Sequence, residues 1–142
     1  MPYQYLEDEA ISDIAFKAWG SSLSEIFTEA AKAVYTLLTN IEELTNEISH
    51  PIDIKANSIE QLLYKFLDEI VYLKDAELFF PKDVSINITK NEDNFVAKGQ
   101  FTGCEFNYEI HTIGNDVKAI TYHDFYLKEM ENGWECYVLV DI

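Results

Sequence analysis

The apolar residues of this chain change their period once, and that change divides the chain into two kinds of structure. Before about Asp75, two stretches repeat at helical spacing: Leu23, Ile26, Phe27, Ala30, Val34, Leu37 and Leu38, then Ile59, Leu62, Leu63, Phe66, Leu67, Ile70 and Leu73. Residues three and four apart share a helix face, so each stretch is an amphipathic helix with one side to bury. Each also opens on a capping box, Ser22-Leu23-Ser24-Glu25 and Ser58-Ile59-Glu60-Gln61, in which each side chain satisfies the other residue's free amide. The first helix is expected to run to about Thr39. After Asp75 the period is two: Val84, Ile86 and Ile88 face one way, with Ser85, Asn87 and Thr89 opposite.

The remaining segments read as strands. In residues 11–19, Ile14, Phe16 and Ala18 take one parity and Asp13, Ala15 and Lys17 the other. Ile48, Ile52 and Ile54 alternate around Pro51, which suits an edge position or an interruption of the strand. Past a turn at Asn91-Glu92-Asp93-Asn94 come strands at 95–101 and near 104–112, 117–129 and 134–141, with turns at 113–116 and 131–133. Strands and helices alternate first, and strands alone follow. The expectation is a single domain over residues 1–142 of the two-layer α+β class, two helices on one face of a mostly antiparallel, mixed sheet.

Charge limits function. Asp and Glu total 26 against 10 Lys and Arg, a formal charge of −16. A phosphate-reading surface needs clustered cations, so direct nucleic-acid binding is not expected, nor is docking on anionic membrane. A cation or a basic protein surface is the expected partner. Aromatic residues at 14% separate the chain from disordered acidic tails. The N-terminus has neither the basic nor the apolar region of a signal peptide, and no apolar run approaches the ~20 residues of a membrane span. A cytoplasmic location is therefore expected. Cys104 and Cys136 have no metal-ligand spacing to each other or to His50, His111 and His123, so reduced, packed thiols are expected.

No nucleophile elbow, phosphate loop or zinc-protease helix is present, and the chemistry left is acidic. Asp13 is the one carboxylate inside the first alternating strand. It belongs either to a solvated outer face or to a metal site. The apolar strand Val138-Leu139-Val140-Asp141-Ile142 runs to the last residue, placing the Asp141 side chain beside the Ile142 terminal carboxylate. Carboxylates that close repel, and a hard cation with oxygen ligands relieves the repulsion. With Asp13 from a neighbouring strand, the set would suit Ca²⁺, Mg²⁺ or Mn²⁺. In Lys118-Ala119-Ile120-Thr121-Tyr122-His123, Tyr122 and His123 read as part-buried strand residues, and Lys118 as a partner for Asp13 or Asp141 or for a phosphate-bearing site on another protein. Asp68, next to the Phe66/Leu67 stripe, is placed to reach the helix–sheet boundary.

Together these segments resemble the archease family. Residues 9–18 are similar to its Asp-His-Thr-Ala-Asp-x-x-Ile-Arg-Ala element, and residues 66–73 to its Trp-Leu-Asn-Glu-Leu-Leu-Tyr-Leu segment. Val117-Lys118-Ala119-Ile120-Thr121-Tyr122-His123 is close to its Val-Lys-Ala-Val-Thr-Tyr-His signature, and Asp141-Ile142 to its ending. The resemblance implies a non-catalytic protein cofactor that promotes guanylylation and multiple turnover of the RtcB-type tRNA-splicing RNA ligase, in some cases broadening its nucleotide use. It implies a divalent ion, Ca²⁺ ahead of Mg²⁺ or Mn²⁺, held by Asp13, Asp141 and the Ile142 carboxylate. Lys118, His123 and Asp68 are then the candidates for ligase activation. The family's histidine and threonine are Ala10 and Ile11 here, and its leading aspartate is Glu9.

Two other classes compete with that reading. A small metal-dependent hydrolase would use the same carboxylates to activate water, and needs an acid or base near the ion, for which His123 and Lys118 are the candidates. An acidic adaptor would need no metal at all.

Overall fold

The computed structural model describes residues 2–6 and 13–142. The strands are β1 (Tyr3–Leu6), β2 (Asp13–Gly20), β3 (Ile48–Ala56), β4 (Phe79–Lys90), β5 (Phe95–Glu105), β6 (Ala119–Met130) and β7 (Gly133–Asp141). The helices are α1 (Leu23–Leu38), which follows β2, and α2 (Ile59–Glu77), which follows β3. No described helix is long and apolar enough to cross a membrane. Residues 11 and 12 of the expected first strand lie outside the described residues, as do Glu9 and Ala10.

Both helices begin where their serines place them. The Glu25 N–H donates to Ser22 Oγ at 3.1 Å and the Gln61 N–H to Ser58 Oγ at 3.2 Å. In the first cap the return bond lands one residue early, since Ser21, not Ser22, donates its N–H and hydroxyl to the Glu25 carboxylate. At the end of α2, Leu78 turns the chain with φ 52°, and its N–H donates to the Lys74 carbonyl at 3.1 Å.

The α+β class is as expected, with two helices packed against antiparallel sheets. The single mixed sheet is corrected in two respects. The strands form two sheets, β1-β2-β7-β6 and β3-β5-β4, and every pairing among the described residues is antiparallel. Each helix touches both: α1 packs on β1, β2 and β7 and also on β4, while α2 packs on β3, β4 and β5 and also on β6. The core lies along that junction, where Phe66 of α2 sits between Phe27 of α1 and Phe101 of β5, ring centres 5.4 Å apart on either side. Truncating Phe66 to alanine removes this link and costs about 3–5 kcal/mol.

The division into sheets also corrects the strand expected near 104–112. Cys104 and Glu105 finish β5, and residues 106–118 cross from the second sheet to the first. That crossing supplies what the end of α1 lacks. Gly114 N–H donates to the Leu38 carbonyl at 2.9 Å and Asn115 N–H to the Leu37 carbonyl at 2.7 Å, satisfying acceptors that no further helical turn would reach. A Cβ on Gly114 would lie 2.5 Å from the Leu37 oxygen, so only glycine allows this approach. Pro51 sits in β3, which is an edge strand and pairs through the proline without a break, so of the two readings the edge position holds. Both cysteines are free and buried, and burial pushes the Cys136 thiol up to about 12.

Candidate functional site

β7 is the centre of the first sheet, paired with β2 on one side and β6 on the other. Its apolar run Val138-Leu139-Val140 is buried on both faces, as a central strand requires. The β2–β7 register runs without a bulge from Asp13↔Asp141 to Gly20↔Trp134. Asp13 and Asp141 are therefore directly opposed at the end of the pair, with side chains on one face. At such positions Cβ atoms are about 4.5–5.5 Å apart. Both residues are partly buried, and neither carboxylate has a hydrogen bond or ion pair among the described residues.

The third strand adds to this corner. Ala119 of β6 pairs with Asp141, and the Lys118 N–H donates to the Asp141 carbonyl at 2.8 Å. Two residues along β6, Thr121 Oγ1 is buried without a partner among the described residues. Ile142 continues the β7 parity of Val138 and Val140 and packs against the core. The donors gathered here are all oxygen, the preference of a hard cation. Among the described residues no third His, Cys, Asp or Glu completes a metal-binding group, so a cation would also draw on the Ile142 carboxylate, main-chain carbonyls or water.

The other candidates lie around this corner at different distances. The Lys118 side chain is exposed and, of its two expected roles, does not take up the ion pair with Asp13 or Asp141 among the described residues. Tyr122 and His123 are strand residues of β6, as expected, but both are exposed rather than part-buried. The β6–β7 register shifts between Thr121 and Tyr126, where Tyr122, His123 and Asp124 are exposed, Phe125 packs against the core and Asp124 takes φ 55°. Tyr122 is exposed and stacks on Tyr64 of α2 with ring centres 3.9 Å apart, and His123 Nε2 meets Asp124 at 3.3 Å in solvent. Asp68 is exposed on α2 between two anchors to the strand carrying the signature: Tyr64 donates to the Ile120 carbonyl at 3.0 Å, and Lys74 to the Val117 carbonyl at 2.6 Å. Among the described residues Asp68 makes no bond to either Asp13 or Asp141.

Lys74 itself escaped the sequence reading. It is buried, and its ammonium lies 2.6 Å from Asp75 and 3.5 Å from Asp116. The signal was available, because position 74 continues the apolar stripe four residues after Ile70. A lysine there must run its stem along the core and find an anion at the rim.

A family model described as the archease protein family (MTH1598/TM1083) matches residues 3–142. The chain belongs to the archease family. It is 33% identical over 142 residues to the protein archease of Archaeoglobus fulgidus, covering 100% of both chains. To that of Pyrococcus furiosus it is 30% identical over 140 residues, 98% of this chain and 99% of the other. The fold is shared with Methanobacterium thermoautotrophicum protein 1598, at TM-score 0.84, 24% identity and 99% coverage of each chain. It also matches the Thermotoga maritima protein described as an archease, possible chaperone, at TM-score 0.63, 15% identity and 96% coverage of each. This archease thus keeps the family architecture along its whole described length.

Proposed function

We propose that this archease is a cytoplasmic protein cofactor of an RtcB-type tRNA-splicing RNA ligase, promoting its guanylylation and multiple turnover, and that it does so with a divalent cation, Ca²⁺ first, held by Asp13, Asp141 and the Ile142 carboxylate. The observation that carries this reading is the register that opposes Asp13 to Asp141 while Lys118 bonds to the Asp141 main chain. Two carboxylates without a cation among the described residues are an unfinished electrostatic site, and a bound divalent ion finishes it. Lys118, exposed at the same corner, is free to meet an anionic group on the ligase, with Asp68 and His123 on the flanks. The charge of −16 attracts a basic RNA-binding enzyme and repels its RNA, so the archease approaches the ligase without competing for substrate.

The hydrolase reading asks for a proton-transfer group at the acids. His123 is the weaker for that role, since it sits in a bulge opposite Val138 with its ring nitrogen on Asp124. The test is a multiple-turnover ligation assay with the cognate ligase, comparing wild type with Asp13→Ala and Asp141→Ala. Wild type should accelerate turnover and both variants should lose the effect. Variants as active as wild type would favour the metal-free adaptor, and an inert wild type would reopen the hydrolase reading.

A further inference from the structure

The crossing at residues 106–118 leaves large apolar side chains in solvent that neither the core nor the acidic pair uses. Tyr108, Ile110 and Ile113 are 70%, 66% and 67% exposed, and Leu78 at the neighbouring end of α2 is 43% exposed. Leu78, Tyr108 and Ile113 border a cleft of about 400 Å³ whose buried floor includes Leu38, Phe80 and Phe106. The segment is not slack. Glu43 accepts from the Thr112 N–H at 2.7 Å and from its hydroxyl at 3.0 Å, α1 accepts from Gly114 and Asn115, and Lys74 holds the Val117 carbonyl. Apolar groups fixed outward around a preformed cleft are built to receive something, because the ordering cost is already met.

Charge decides between occupants. Asp75 and Asp116 stand at the mouth with side chains 59% and 80% exposed, and among the described residues only Lys74 offsets them. A second copy of the chain would bring −16 to −16 and the same acidic rim to itself. A basic protein carrying a large aliphatic or aromatic side chain between arginines or lysines meets both features: the apolar group enters the cleft and the cations meet Asp75 and Asp116. Asp116 at the rim stands two residues before Lys118, whose N–H donates to the Asp141 carbonyl.

We propose that the cleft bordered by Leu78, Tyr108 and Ile113 is the surface on which the ligase docks, an inference that rests on the ligase reading above. Docking here places Lys118 and the acidic pair beside the bound enzyme, so binding and activation are separable. The experiment compares wild type, Tyr108→Asp, Ile113→Asp and Asp13→Ala for ligase affinity, stimulation of ligation and divalent uptake, with thermal melting as the check on folding. Each cleft variant adds negative charge and so strengthens attraction to a basic partner. At least tenfold weaker binding therefore reports lost apolar contact. Stimulation should return at higher archease concentration, with divalent uptake unchanged, whereas Asp13→Ala should bind the ligase without stimulating it. Asp116→Lys, at an exposed position, should weaken binding and flatten its salt dependence.

Full affinity in both cleft variants, with an active wild type, overturns the docking surface and leaves the ligase reading standing. A wild type that neither binds nor stimulates overturns that reading and the occupant named here with it. A wild-type dimer that these variants split in sedimentation overturns the proposal in favour of a second copy.

Discussion

On the outer face of the β2–β7 pair, Trp19 stands opposite Glu135 at one end and Asp13 opposite Asp141 at the other, roughly 20 Å apart by strand rise. The two ends treat an acid in opposite ways. Glu135 is buried and fully engaged: the Trp19 indole donates to it at 2.8 Å, the Tyr126 hydroxyl at 2.6 Å, and Lys128 lies 3.7 Å away. Asp13 and Asp141 face one another with no such donors among the described residues. A carboxylate with its partners built in is a structural element. Two without them among the described residues are the pair to which the proposed function assigns a charge from outside. Acidity alone is therefore a poor guide to function in this archease, and the surrounding donors are a good one.

The comparison breaks most sharply at the open end. Asp13→Ala or Asp141→Ala should weaken divalent uptake by about 10–100-fold or more, the scale on which even supporting groups of a metal site act, and calorimetry reads it directly. In metal-free buffer the same variants should melt no lower than wild type, because each removes a like-charge repulsion. Wild-type uptake in either variant would make the two ends equivalent.

At the closed end, Glu135→Gln should cost about 1–3 kcal/mol in urea unfolding, since one acceptor oxygen cannot serve both donors. Divalent uptake should not change. The Glu135 carboxyl is held below its ordinary value of 4.5, first by the Tyr126 hydroxyl, with the Trp19 indole, Lys17 and Lys128 adding to it against the opposing effect of burial. A depressed folded value means the contribution is complete above about pH 4.5 and is lost as pH falls through the lowered value. Acid-unfolding curves of Glu135→Gln should therefore lack that part of the acid limb. Smallest of all, Lys128→Ala should cost under about 1 kcal/mol, because this cation is half-exposed and its ion pair is screened.

Local pattern and tertiary demand divide along the chain in an instructive way. The helices were legible because period and cap agree within a few residues: Ser22 and Ser58 fix the starts, and the stripes fix the buried faces. β1 was missed although Tyr3 and Tyr5 alternate, because a strand of four residues carries too little pattern on its own; Tyr5 declares itself through tertiary contacts, its pairing with Phe16 and its bond to the Ala33 carbonyl at 2.8 Å. Residues 104–112 misled for the reverse reason. Cys104, Phe106, Tyr108 and Ile110 alternate as a strand would, yet the chain there must change sheets and close the end of α1. Tyr122 and His123 are strand residues of β6 as read, but they are exposed at a shift of register against β7, which sequence spacing does not record.

Composition and spacing by themselves determined the charge, the two capped helices, the strand-rich second half and the acids worth watching, since each depends on neighbours a few residues away. Only the tertiary structure decided that there are two sheets, that the crossing between them presents an apolar cleft, and that Asp13 meets Asp141. Strand register is set by how buried faces fit across the whole core. Residues at opposite ends of the chain become neighbours only when that fit is made.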